Sequence, residues 1–265
     1  MTTADTASQT TGADAKANVA QLIYAIVPAG HEPQGQGIGR SPAPLRTVTH
    51  GEIAALVSAV AVDEPLDRAE DLENYSRIVD NLVRETSIVP IRFGAALEDE
   101  AAVASGLLEP NAEQFGAALR DLGGQAEYLV SGQYVEQTVL REILQENQQA
   151  AELAETLRTT PAAAGRDVSL ALGEIINSEL EHKREGDTDI MVNTLRQLTE
   201  ELVLRPPTHE EEIATLAVLV PLDKEDELVH VVDLLSKQWE NRVSLRIVGP
   251  LAAWDFLTIE ATESQ

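Results

Sequence analysis

The chain has 265 residues, 43% of them hydrophobic, which is enough for one large or two small packed domains and excludes global disorder. Its 19 Lys and Arg against 45 Asp and Glu give a formal net charge of −26, a surface that repels phosphate backbones and anionic bilayers and so argues against nucleic-acid and membrane partners. It has no cysteine and only 3% aromatic residues, which removes disulfides, thiolate metal sites and cysteine nucleophiles, and leaves little material for base stacking or aromatic cages.

Residues 1–18 are mostly Thr, Ala, Asp and Ser and read as a disordered tail. The apolar run that follows lacks a basic leader, because Lys16 is offset by Asp5 and Asp14, so it reads as a buried strand over 21–27 and not as a signal peptide. No stretch approaches the ~18 uninterrupted apolar residues of a spanning helix, and the expectation is a soluble, cytoplasmic, acidic protein. Pro33, Gly35, Gly37, Gly39, Pro42 and Pro44 make 29–45 a loop. Segments 46–49 and 54–60 flank His50-Gly51 as either a hairpin or one bent strand. Leu72, Tyr75, Ile78, Val79, Leu82 and Val83 share one face of a helix over 66–85. Residues 87–93 are extended, and Pro90, which has no ladder donor, makes them an edge strand or one that carries a bulge. A helix over 111–122 carries Phe115, Ala118, Leu119 and Leu122 on one side, with Asn111 as N-cap and Gly123-Gly124 as its end; a strand over 127–130 follows. This alternation predicts a ferredoxin-like α+β sandwich, or a variant of it, as an N-terminal domain over 19–132.

Beyond Gly132 the pattern turns helical, with helices over 133–157, 168–180 and 188–204 broken near Pro161/Gly165 and at Gly186, and closed by Pro206-Pro207. A strand over 213–220, a helix over 223–239 capped by Asp223, a strand over 242–249 and a short edge strand over 251–259 complete a helix-rich C-terminal α+β domain, 133–260.

No local motif assembles a catalytic centre, so the catalytic, cofactor-binding and metal-ligating sets are predicted to be empty. Glu179 and His182 share a helical face, but a di-iron bundle needs a second such pair, and the segment reads as a solvated helix end. Asp187 and Asp189 lack the glycine and terminal glutamate of a calcium loop, and one or the other reads as an N-cap. Gly35, Gly37 and Gly39 have the wrong spacing for a dinucleotide fingerprint, and no Gly-Lys-Ser/Thr follows them. Carboxylate pairs are expected from density alone in so acidic a chain.

Three stretches taken together resemble the gas vesicle proteins of the GvpF/GvpL family: Tyr24-Ala-Ile-Val-Pro28 with the later His50-Gly51 segment, Ser87-Ile-Val-Pro-Ile-Arg-Phe-Gly94, and Gly249-Pro250 followed by Trp254-Asp255-Phe256. Leu119, Leu122, Gly124 and Glu127-Tyr128 fit the family's middle, and the likeness runs from about Leu22 to Phe256. The ending departs from the family's usual Gly-Pro-Trp-Pro-Pro-Tyr. The resemblance implies a non-enzymatic assembly factor with two α+β domains, one ferredoxin-like. Its implied partners are the hydrophobic shell subunit GvpA and other accessory proteins, and its implied location is the cytoplasm, on the vesicle. A ferredoxin-like module that binds a small regulatory molecule is the alternative, and an acid–base or metal enzyme hidden among the carboxylates is a third.

A sticky shell subunit can be covered by an open edge strand or by an apolar groove. Candidate contact residues are Ile88, Pro90, Arg92 and Phe93 in the proline-containing strand and Trp254 and Phe256 near the C-terminus, with a second surface on the middle helices around Ile143, Ile175 and Leu195. For each apolar residue, burial in the core is the default. Arg92 is expected to pair with a buried carboxylate, and Gly94 and Gly249 to permit tight turns.

Overall fold

A computed structural model describes residues 19–63, 65–135, 137–161 and 165–257. The N-terminal tail and the last residues of the expected 251–259 strand lie outside that set. In chain order the first sheet is built from β1 (Val19–Pro28), β2 (Arg46–His50), β3 (Ile53–Ala61), then, after α1 (Ala69–Leu82), β4 (Val89–Pro90) and β5 (Ala96–Leu97). A link of α2 (Glu100–Ala102), a π-helical turn (Val103–Leu108) and α3 (Glu109–Asp121) leads to β6 (Gln125–Tyr134). Three helices follow, α4 (Thr138–Glu146), α5 (Gln148–Thr159) and α6 (Arg166–Leu195), then β7 (Leu202–Arg205), β8 (Glu212–Pro221), α7 (Glu225–Gln238) and β9 (Val243–Leu251).

The sheets run β2-β3-β1-β4, with β5 also on β1, and β7-β8-β6-β9. All pairings are antiparallel. Each is therefore a split βαβ arrangement of the ferredoxin-like kind, in the order second, third, first, fourth strand. The expected α+β class holds, and the ferredoxin-like order occurs twice. The copies differ at the first crossover: the first sheet uses the 29–45 loop where the second uses α4, α5 and α6. That loop is seated by Tyr24, whose hydroxyl accepts from Ile38 N (2.9 Å) and bonds Ser58 Oγ (2.9 Å). A side chain at Gly37 would start 2.1 Å from Ser58 Oγ, so only glycine lets the loop lie this close.

One face of β1 (Leu22, Tyr24, Val27) packs on Tyr75 and Val79 of α1, and the same cluster continues through Tyr128, Val130 and Val218 of the second sheet to Leu228 and Val232 of α7. The opposite face (Ile23, Ile26) meets the π-turn and Phe115 of α3. The two sheets thus share a core. The expected boundary after Gly132 falls inside β6, whose pairing with β8 and β9 places residues 125–134 in the second sheet.

Several expected elements are changed by packing. Residues 46–61 form the hairpin and not a bent strand. Of the 87–93 segment Val89–Pro90 forms the strand, with Ile91 N adding a bond to Tyr24 O (3.0 Å), at the sheet edge that a proline tolerates. The helix expected over 133–157 breaks at Asn147, whose Oδ1 accepts from Ala150 N (3.0 Å) and caps α5. Gly186 does not end a helix: α6 runs through it because Asp187, Met191 and Leu195 are all buried on one face. The tail of the expected 188–204 helix is instead β7, held by β8. Asn111 is no N-cap, since α3 continues directly from the π-turn and its Nδ2 donates to the Leu107 carbonyl (2.8 Å). Asp223 lies in a 3-10 turn and α7 begins, without a side-chain cap, on Glu225, Asp226 and Glu227. Trp254–Phe256 forms a 3-10 turn in place of a strand.

Asp187, one of the two residues expected as an N-cap, sits mid-helix. It accepts from Tyr134 Oη (2.7 Å) and from both terminal nitrogens of Arg242 (2.9 and 2.7 Å), while Arg242 Nε reaches Glu142 (2.9 Å). A buried charge survives only when paired this fully, and this one ties α4, α6, β6 and the turn that leads into β9 together.

Candidate functional site

The two most specific stretches of sequence, 87–94 and 249–256, come together where the two sheets meet. In the first, Ile88, Val89 and Pro90 are buried, Phe93 is half-buried and Arg92 is exposed. Phe93 stands edge-on to Tyr75 (5.2 Å between ring centres, 81°), and Tyr75 stacks on Tyr24 (5.1 Å). The Tyr75 hydroxyl points among the carbonyls of Ile23 (3.0 Å), Tyr24 (3.2 Å) and Ile91 (2.5 Å), so α1 is bonded to β1 and to the 87–94 segment through a single group. Burial raises the Tyr75 pKa, keeping that donor protonated.

The second stretch is held by two carboxylates. Ala252 N donates to Asp80 Oδ1 of α1 (3.0 Å), and Asp255 N donates to Glu127 Oε2 of β6 (2.9 Å). Arg205 of β7 bridges the group, with Nε on Asp255 Oδ2 (2.7 Å) and Nη2 on Glu127 Oε1 (3.4 Å). Gly249 crosses Tyr128 so closely that an added Cβ would lie 2.4 Å from its ring. Glu127 is 0% exposed. Burial, aided by the charges of Asp255 and Asp80 and opposed by the Asp255 amide and Arg205, pushes its pKa up to about 7. Burial raises Asp80 in the same way, against its bonds from Ala252 and Trp254. Ala252 shares a cluster with Ile88 and Tyr75, and Ala253 and Phe256 share one with Val89, Ile91 and Leu219.

This arrangement is a joint. Its carboxylates accept backbone N–H groups and an arginine. Ile88 and Pro90 are core residues with no surface to offer a partner. Phe93, Trp254 and Phe256 are half-buried against the joint. Arg92 does not pair with a buried carboxylate: it is exposed and makes no ion pair among the described residues. Of the residues named for the surface on the middle helices, Ile143 and Leu195 are buried and Ile175 is half-buried, packed into the small cluster around Ile143, Ala150 and Leu172.

Glu179 accepts from Asn147 Nδ2 (2.7 Å). Among the described residues no group of three or more His, Asp or Glu side chains is placed to hold a metal ion, and no helix is long and apolar enough to cross a membrane. Asp80, Glu127 and Arg205 carry the joint and were not singled out as a set by sequence. The one local signal is Glu127 itself, a carboxylate directly before the apolar run Tyr128-Leu129-Val130.

A family model described as gas vesicle synthesis protein GvpL/GvpF matches residues 20–258. The chain is 30% identical over 245 residues to gas vesicle protein F of Streptomyces sp. (strain CB03234), covering 89% of this chain and 98% of that protein. It is 19% identical over 232 residues to gas vesicle protein F of Dolichospermum flosaquae, covering 85% and 91%. The fold matches the crystal structure of GvpF from Anabaena sp. PCC7120 with a TM-score of 0.77 at 18% identity, covering 91% of this chain and 99% of that one. It also matches GvpF from Microcystis aeruginosa with a TM-score of 0.71 at 20% identity, covering 89% and 98%.

Proposed function

The chain belongs to the gas vesicle synthesis protein GvpL/GvpF family, and from that premise we propose that it is an assembly factor that binds the hydrophobic shell subunit GvpA and supports vesicle formation in the cytoplasm. The observation that carries the reading is the family match along residues 20–258. Physical chemistry makes the role coherent. A very apolar subunit aggregates before it polymerises, and a partner with a net charge of −26 keeps the covered complex soluble through repulsion between complexes. Other accessory proteins of the vesicle are further partners in this reading.

The test uses the full-length chain. It should retain purified shell subunit in a pull-down and sediment with isolated vesicles at moderate salt. Recovery only in the soluble fraction, with no shell subunit retained, overturns the proposal, as does normal flotation of cells that lack the protein.

A further inference from the structure

Most sheet edges in this protein are blunted. β2 presents Arg46, Thr47, Thr49 and His50; β4 is two residues long and contains Pro90; β9 exposes Ser244 and Arg246. Charge, proline and brevity are the usual protections against unwanted strand pairing. β7, the outer strand of the second sheet, is short and ends in Arg205 before Pro206-Pro207, but its first three residues, Leu202, Val203 and Leu204, carry neither charge nor proline. Val203 is 37% exposed and Leu204 52%. Leu219 N donates to Glu201 O (3.1 Å), and Val203 lies opposite Ala217, so the hydrogen-bonded pairs fall at 201, 203 and 205. The alternation of an antiparallel ladder then aims the N–H and C=O groups of Leu202 and Leu204 away from β8, into the free edge.

Beside this edge lies a groove of about 450 Å3 between β7 and α6. Leu204, Pro206, Pro207 and Ile213 supply its apolar lining; its charged lining is Glu185 and Asp189, one turn apart on α6, together with Arg184 and Arg205, the latter turned to Asp255 Oδ2 (2.7 Å) and Glu127 Oε1 (3.4 Å). Neither Glu185 nor Asp189 has an ion-pair partner among the described residues. Arg184, also on the groove, is occupied by the carbonyls of Glu210 (2.7 Å) and Glu212 (3.0 Å).

We propose that the β7 edge accepts an extended, apolar segment of the shell subunit that carries a basic side chain at its flank, adding a strand to the second sheet. The main chain of Leu202 and Leu204 supplies the directional bonds, the groove takes an apolar side chain, and Glu185 and Asp189 take the cation. A second copy of this chain is the wrong occupant: edge-to-edge pairing would bring the same acidic pair against itself, between two molecules of charge −26. The identity of the occupant rests on the function proposed above.

The absence of cysteine makes the test clean. Leu204→Cys, and Thr47→Cys on the β2 edge as control, are labelled with benzophenone maleimide and irradiated with shell subunit held in mild detergent. Crosslinking from position 204 and not from 47 is expected. Leu204→Pro removes an outward N–H, which an edge strand tolerates, and should weaken binding roughly tenfold with an unchanged melting temperature. Glu185→Lys with Asp189→Lys should weaken it more at low salt than at high salt. Binding by the unmodified chain with no crosslink from 204 overturns the inference and leaves the assembly role standing, and the crosslink decides the matter even where Leu204→Pro fails to fold. No binding by the unmodified chain removes both.

Discussion

Glu127 is where a single residue does most to set the energetics of the joint. Its folded pKa of about 7 lies above the ordinary 4.5, so the folded state holds a proton that the unfolded chain has already released between those values. Stability therefore falls as pH rises from about 4.5 to about 7, and above that range ionised Glu127 costs on the order of 3 kcal/mol. Asp80 is raised by burial and acts with the same sign. Asp71 acts oppositely: the Arg68 guanidinium holds it below its ordinary 3.8, so its contribution is present above that pH and lost as pH falls through the lowered value. Glu212 is also lowered, because hydrogen bonds from Thr208 and Thr215 outweigh its burial. Glu127→Gln keeps the shape and the acceptor for Asp255 N, while Arg205 retains Asp255. Urea unfolding at pH 5, 6, 7 and 8 should show the variant losing less stability than the parent across this range, and exceeding it at pH 8. Parallel pH profiles would show that the burial of Glu127 is relieved in solution.

At the scale of elements, the helices and strands that follow one clean period were legible. Tyr75, Val79 and Leu82 mark α1, Leu228, Val232 and Leu235 mark α7, and the β-branched run marks β8. What was not legible is where two signals compete. Gly186 looks like a helix stop, yet it sits inside a 30-residue helix. The apolar run Leu202-Val-Leu204 fits a helical stripe as well as a strand, and only its pairing with β8 decides. The joint was invisible for another reason: Ala252 and Asp80 are 172 positions apart, and Asp255 and Glu127 are 128 apart, so no local spacing could bring them together. The two kinds of glycine make opposite predictions. An added Cβ at Gly186 meets open space, so Gly186→Ala should stabilise α6 by about 0.5–1 kcal/mol. At Gly37 the same change drives a methyl into Ser58 and the Tyr24 hydroxyl. It should unseat the 29–45 loop and cost roughly 1–3 kcal/mol. Chemical denaturation of both variants checks the sign of each.

Across the whole molecule, the continuous core predicts how the protein comes apart. Tyr24 and Tyr75 of the first half and Tyr128 and Val218 of the second belong to one buried cluster, so neither sheet can open without exposing the face of the other. The polar ties add directionality more than energy: the Arg84–Glu225 pair (3.0 Å) is largely exposed and contributes little. Circular dichroism and the fluorescence of Trp239, which is buried in the second half and is read in a Trp254→Phe background, should therefore report one coincident urea transition. α5 and the first half of α6 stand apart, with a cluster whose buried members are only Ile143, Ala150 and Leu172. Their amides should exchange before those of β1, β6 and β8 in native-state hydrogen exchange. Two separated transitions, with Trp239 following only one of them, would mean that each ferredoxin-like sheet is stable alone. The Asp80 latch, which ties α1 to Ala252, would then fasten two independent bodies. A single transition with early exchange confined to the helical arm makes the joint part of the folding unit, and leaves the arm as the part free to adjust when a partner strand adds at β7.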